Sequence, residues 1–307
     1  MGALVPTFNP ENGQVSISAL LNNTTRLSSL ITTLVDGRAT VTGSFFAPGP
    51  GTISGGGINH SVLAGDDSLF PVDGDAEVRA PGAEHRVVRG DELRRIAAVE
   101  NFAAKTLITK EAELRRDTVT FANQIAVVSN AVARAVDKAA LAVVDTVLDE
   151  YDVPDVPALL PWNQVETVGA EATLTPGSQR PLAQIVAART SSAVMDSTVP
   201  ELNVLLLNPA DLGNLATAYA ENYAAAMASA NLTVRTSNFI PMGTGYLVAE
   251  GAFGFVLYEG ANGISADTEY LKDTKTTAVY VDASPAFAAV RPHAVRRLTD
   301  LYGTVTP

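Results

Sequence analysis

The chain has 307 residues and a net charge of −12, from 21 Lys and Arg against 33 Asp and Glu. That acidic balance disfavours a nucleic-acid binder, because phosphate contacts need a basic footprint. The absence of cysteine excludes disulfides, thiolate nucleophiles and Cys-containing metal sites.

Hydrophobic residues make up 47% and charged residues 18%, which suits a chain with a substantial core and a surface partly covered by partners. No apolar run approaches the ~18 residues of a membrane span. The start, MGALVPTFNPENGQ, has no basic region followed by an apolar run, so no signal peptide is expected.

Residues 1–35 read as an arm. Asn12-Gly13 marks a turn, and Ile17 to Val35 carries Leu20, Leu21, Leu27, Leu30 and Ile31 at spacings that predict a weak amphipathic helix needing something to pack on. Residues 36–90 change character. GRATVTGSFF alternates like a strand, and a glycine-dense stretch follows without helical periodicity. Ala76 to Gly90, with a turn at Pro81-Gly82, is expected to return as a second strand, giving a two-stranded flap with little core beneath it.

Residues 91–158 open with a predicted short helix, Asp91 to Lys105. Thr109 then caps a long helix over 110–151, with Glu111 and Glu113 suiting its positive end. Leu114, Phe121, Ile125, Val128, Val132, Val136, Ala139, Val143 and Val147 form one apolar stripe. About 40 residues would span roughly 60 Å. A beam with sheet or flap along its apolar side is favoured over a coiled coil, because valine and alanine make a thin knob layer. Pro154 and Pro157 end the helix.

The next division is 159–260. PDVPALLPWNQVETVG separates the long helix from 181–260, which alternates helix and strand signals. PLAQIVAARTSSAVMD reads as helix, Leu202 to Leu207 as strand, and Pro209 as a first helical position capped by Asn208. Several strands follow, broken at Pro241-Met242-Gly243 and Glu250-Gly251. Residues 261–307 offer two more strands around Asp282 to Pro285.

Chemistry is sparse. His60, His85 and His293 are the three histidines, and no HExxH or GxSxG occurs. Gly49 to Gly57 lacks both phosphate-loop patterns and a helix start to receive charge. Asp66, Asp67, Asp73 and Asp75 do not match a calcium loop and read as a solvated acidic turn, a bound ion being the alternative. Phe253, Phe255 and Tyr258 read as core rather than as a base-stacking platform, since Arg235 is the sole basic residue between Thr190 and Lys272. Arg291, Arg296 and Arg297 form a basic cluster, either solvated or paired with a partner's carboxylates. No catalytic, cofactor-binding or metal-ligating residue is assigned.

The order of these features resembles the major capsid proteins of tailed bacteriophages, particularly those of phages infecting actinobacteria. The matching pieces are the arm, the glycine-rich excursion Asp36 to Gly90, the spine ITKEAELRRDTVTFANQIAVVSNAVARAVDKAAL, and LLLNPADLGNL. TSNFIPMGTGYLVAE with GFVLYE, and VDASPAFAAVRPHAVRRLT, look like the late section and its closing strand. Glu111, Asp117, Asp137 and Ala139 fit the look of the family's spine. The likeness lies in order and lengths from about residue 30 onward; no single motif is diagnostic.

The resemblance implies an α+β shell fold: N-terminal arm, extended two-stranded loop, peripheral domain with the long spine helix, and axial α/β domain, with 261–307 returning to both. It implies a non-enzymatic protein that self-assembles as pentamers and hexamers into an icosahedral shell around double-stranded DNA, without sequence-specific contact and without a membrane. Portal protein, scaffolding protein or domain, maturation protease and decoration protein are the partners it suggests. Location would be the virion, and the host cytoplasm during assembly. The short N-terminal region fits either a matured chain or one using a separate scaffolding protein. Some relatives join subunits by a lysine–asparagine isopeptide bond, but no lysine precedes Lys105, so a flap lysine cannot serve here. The overall acidity suits an inner face that does not condense DNA. Rival readings are the shell protein of a cellular nanocompartment and a non-enzymatic phage accessory binding module; an enzyme is the remotest class.

Overall fold

A computed structural model describes residues 17–53, 55–64, 76, 78–87, 93–167, 174–260 and 263–303. The arm forms helices α1 (Ile17–Leu21) and α2 (Thr24–Asp36), with the Asn23 side chain accepting from Arg26 N–H as the cap between them. Leu27, Ile31 and Val35 are buried on one face, as the sequence spacing predicts.

GRATVTGSFF departs from expectation. It folds as a short helix, α3 (Thr40–Phe45), running into strand β1 (Phe46–Pro48). The alternation that suggests a strand is outweighed by an anchor on α3's first amides, described below.

The flap exists, with shifted strands. Strand β2 (Gly57–Val62) pairs antiparallel with β3 (Leu93–Ala98), so the return strand lies beyond residue 90. Among the described residues 78–87 there is no strand, but Pro81-Gly82 does turn: Ala83 N–H bonds to Ala80 C=O, and Gly82 has φ 85°. The predicted helix over Asp91 to Lys105 is therefore corrected to β3 and β4 (Phe102–Thr109). Its alanine-rich composition favours helix locally. Pairing with residues 57–62 and with β11 (Thr276–Ala283) overrides that preference.

The spine is interrupted. Helix α4 (Lys110–Leu114), capped by Thr109, stops at Arg116, whose φ of 52° is left-handed; α5 (Thr118–Glu150) restarts with Asp117 as its cap. The single helix expected over 110–151 is thus two, and Leu114 is exposed rather than on the stripe. Over its 33 residues, about 50 Å, α5 buries Phe121, Ile125, Val128, Val132, Val136, Ala140, Val144 and Leu148. The predicted Ala139, Val143 and Val147 lie beside that row, half-buried. Spacings of four drift around a helix with 3.6 residues per turn, so two neighbouring faces are used in succession.

After β5 (Val156–Pro157) come helix α6 (Pro181–Met195), strand β6 (Val204–Leu207), and helix α7 (Pro209–Tyr219) with Asn208 as its cap, as expected. Helix α8 (Tyr223–Ser229) and strands β7 (Thr233–Thr236), β8 (Gly245–Val248) and β9 (Gly254–Tyr258) follow. The last section holds β10 (Ile264–Leu271), which the sequence reading did not foresee, then β11, β12 (Pro285–Ala289) and β13 (Val295–Thr299).

These strands make a five-stranded sheet ordered β5-β13-β8-β6-β7, a three-stranded sheet β10-β11-β4 and another, β1-β9-β12. Helix α5 packs on β4, β11, β12, α2 and α3. The chain crosses between the sheets at 249–253, where buried Phe253 meets Phe45 and Phe46 edge-on, with centroids 6.1 and 5.4 Å apart. Phe253 is core, as expected; Phe255 and Tyr258 pack partly buried against the core. Helix α2 lies along β10. Ser28 Oγ accepts from Ala266 N–H at 2.9 Å and faces its carbonyl at 3.4 Å, while Thr268 Oγ1 donates to Leu21 C=O at 2.9 Å.

Candidate functional site: the attachments of the spine helix

Three sets of side chains fix α3, the five-stranded sheet and the flap root to helix α5. The first attachment is Asp137, mid-helix and 2% exposed. Its carboxylate accepts from Thr42 N–H at 2.9 Å, Thr42 Oγ–H at 2.8 Å and Val41 N–H at 3.4 Å. Those amides begin α3, whose own cap position, Ala39, has no side-chain acceptor. Asp137 thus caps a helix from outside it, placing negative charge at the positive end. Burial raises its pKa, and the bonds from Thr42 and Val41 offset part of that. Tyr258 nearby is pushed up to about 12 by burial, with Asp36 and Asp137 adding to the effect.

The second attachment is at the far end of α5. Asp145 and Asp149 lie four residues apart near the helix's negative end, a locally unfavourable placement. Arg297 on β13 resolves it. Its guanidinium reaches Asp149 at 2.8 Å, Asp155 at 2.8 Å and Asp145 at 3.6 Å. Asp145 also accepts from Tyr246 Oη–H of β8 at 2.7 Å. Burial foremost, and then Asp145, raise the Tyr246 pKa; Asp155 and Asp149 raise that of Arg297.

The third attachment is the flap root. Arg95 of β3 pairs with Glu150 and lies 3.4 Å from Tyr151 Oη. Beneath the root, Ile53, Ala97, Leu257, Ala286 and Ala288 form a small separate core.

The arginine cluster is therefore corrected: it is not a surface patch. Arg296 is 0% exposed, bonds to the carbonyls of Ser191 and Val295, and is pushed down to about 10 by burial. Arg297 is the clamp just described, and Arg291 donates to Thr198 C=O. His293 is buried beside Arg296, His60 is half-buried in the flap root and His85 is exposed; the structure brings none of the three together with another. Asp117 caps α5, and Glu111 lies in the first turn of α4. Asp66, Asp67, Asp73 and Asp75 lie outside the described residues. Among the described residues no group of His, Asp and Glu is placed to hold a metal. A cavity of about 720 Å³ lies between α2, α3, β1 and β9, with Phe46, Pro48, Val256, Leu257 and Ile264 among its apolar lining and Asp36, Thr42 and Glu250 among its polar lining. The sequence reading missed Arg95, Asp145, Asp149, Glu150, Asp155 and Tyr246. The Asp145/Asp149 pair was the readable signal, as a local conflict demanding a cation.

No family model matches this sequence, and no curated protein matches it. Solved structures do match in fold. A virus-like particle from Pyrococcus furiosus superposes with a TM-score of 0.55 at 10% identity, covering 88% of this chain and 98% of that one. A structure from Mycobacterium phage Bobi gives 0.52 at 16% identity, over 83% and 88%. The capsid of cyanophage P-SCSP1u gives 0.51 at 12% identity, over 81% and 84%. The chain has the α+β shell fold of tailed-phage capsid proteins.

Proposed function

We propose that this chain is a major capsid protein, self-assembling as pentamers and hexamers into a closed icosahedral shell around phage double-stranded DNA. The observation that carries the reading is the fold match over 81–83% of this chain to phage structures, with arm, flap, spine and five-stranded sheet all attached in one subunit. The proposed division is an arm over 1–35, an extended loop from 36 into the β2–β3 hairpin, a peripheral domain built on α5, and an axial domain centred on the five-stranded sheet. Subunits that repeat one contact heterologously close into rings when the rotation permits. The three attachments give each copy a fixed wedge shape. An isopeptide bond with its lysine in the flap is excluded, since no lysine precedes Lys105. Portal, scaffold, protease and decoration proteins are the expected partners, the virion is the expected location, and no catalytic step is assigned.

The likeness to an archaeal virus-like particle favours a second reading, the shell of a cellular nanocompartment. Negative-stain electron microscopy with size-exclusion chromatography of the expressed chain tests both. Closed shells, tubes or ring-shaped capsomers are expected. Small uniform shells copurifying with a host enzyme favour the nanocompartment. A monodisperse monomer under scaffold and crowding conditions refutes both and leaves an accessory binding module.

A further inference from the structure

His60 lies on β2 directly opposite Arg95 of β3. With Val62, Glu100, Val143, Val147, Glu150, Tyr151, Phe287 and Ala289 it lines a gap of about 260 Å³ between the hairpin, β12 and the end of α5. Its Nδ1 is buried and has no hydrogen-bond partner among the described residues. We propose that His60 is a proton-operated latch on the flap. Neutral, it lets the β2–β3 hairpin lie against β12 and the spine; protonated, it lifts the hairpin away.

The groups around the ring decide the sign. From β3 comes Arg95, from the end of α5 come Glu150 and Tyr151, and from the segment after β3 comes Glu100; β12 offers only Phe287 and Ala289. Glu150 is already engaged by Arg95. A second cation on His60 would therefore meet Arg95 in a half-buried gap. Burial lowers the His60 pKa from 6.5, and Arg95 adds to this; the carbonyls of Ile58 and Ala289 offset part. The lifted hairpin, in water, regains the ordinary value. Between the two values the lifted form binds the extra proton, so docking is strongest above about 6.5 and weakens as pH falls below it. The root is suited to such control. Among the bonds that hold it are Leu63 N–H to Val290 C=O and Glu100 N–H to Pro285 C=O, over a small core in which three of five residues are alanine. The latch belongs to the single subunit and does not rest on the shell reading.

Amide hydrogen exchange on the full chain, corrected to protection factors at pH 7.5, 6.5 and 5.5, tests it. The amides of Leu63 and Glu100, which bond across the root to Val290 and Pro285, should lose about threefold or more in protection between the extremes while α5 holds constant, a tenfold loss corresponding to one unit of pKa depression. His60→Gln should flatten that dependence. Glu150→Gln should lower protection at every pH yet keep the slope, which separates the titrating group from the ion pair. A flat wild type, a slope surviving His60→Gln, or an equal loss in α5 overturns the proposal. So does an imidazole titration by NMR placing His60 at or above 6.5.

Discussion

Replacing Asp137 by alanine removes the acceptor for two first-turn donors of α3 at once. Thr42 is 5% exposed, so its amide and hydroxyl have little access to water. Each orphaned buried donor costs about 1–3 kcal/mol. The Val41 contact, at 3.4 Å, adds little. Relief from burying a carboxylate subtracts from the sum, leaving a destabilisation of about 2–4 kcal/mol. Asp137→Asn keeps one oxygen for Thr42, loses the unfavourable charge burial, and should cost about 1 kcal/mol. The pH dependence has a definite sign. The folded pKa of Asp137 is raised above 3.8, so the native state holds the proton more tightly than the unfolded chain. Wild type should therefore lose stability relative to Asp137→Asn as pH rises from about 3.8 through the folded value, with a constant difference below that window. Denaturant unfolding followed by circular dichroism, with exchange at Val41 and Thr42, measures all three. An alanine variant costing under ~1 kcal/mol, or no more than the asparagine one, would show that Val41 and Phe45 hold α3 by packing alone.

Arg297→Met keeps the apolar stem but leaves Asp145 and Asp149 uncompensated at the helix end; with partly exposed partners the cost should be about 1–2 kcal/mol. It should shrink in high salt, and an equal cost in high salt would point to packing. Gly254→Ala would set a Cβ 2.0 Å from the Ala288 carbonyl oxygen across the β9–β12 pair. The strands must part, so a loss above about 3 kcal/mol is expected in the unfolding midpoint; a fully stable variant would mean the pair is looser than described. Gln184→Ala removes the acceptor of the buried Trp162 Nε1–H, now bonded at 2.9 Å. A cost of about 1–3 kcal/mol is expected. Trp162 is the sole tryptophan, so an unchanged emission spectrum would argue against that bond.

Legibility followed the range of the interactions. Helices α6 and α7 were readable because Pro181, Pro209 and Asn208 act within one turn. The stripe on α5 was readable because its partners lie on one side. The break at Arg116 was not, since Leu114, Arg115 and Arg116 favour helix and the one signal of a restart was Asp117, a preferred cap type. Strands β3 and β4 were misread because their alanines say helix, and their decisive partners are 31–41 residues away on β2 and more than 160 away on β11. The attachments show the same divide. Asp137 stood out by resemblance, but its partner Thr42 is 95 residues distant. Arg297 was noticed as one of a cluster, whereas its three aspartates lie well over a hundred residues back.

The placement of α2 along β10 has a consequence for the subunit before it meets any other copy. An outer strand with open amides and carbonyls is a template on which another chain can stack, and concentrated protein would grow sheets from it. Ser28 occupies both polar groups of Ala266, and Asp267 and Glu269 stand exposed along the same strand. The arm thereby acts as a stopper against amyloid-like stacking. A subunit with its arm seated can accumulate without this strand seeding precipitation, and displacing the arm would uncover that hazard.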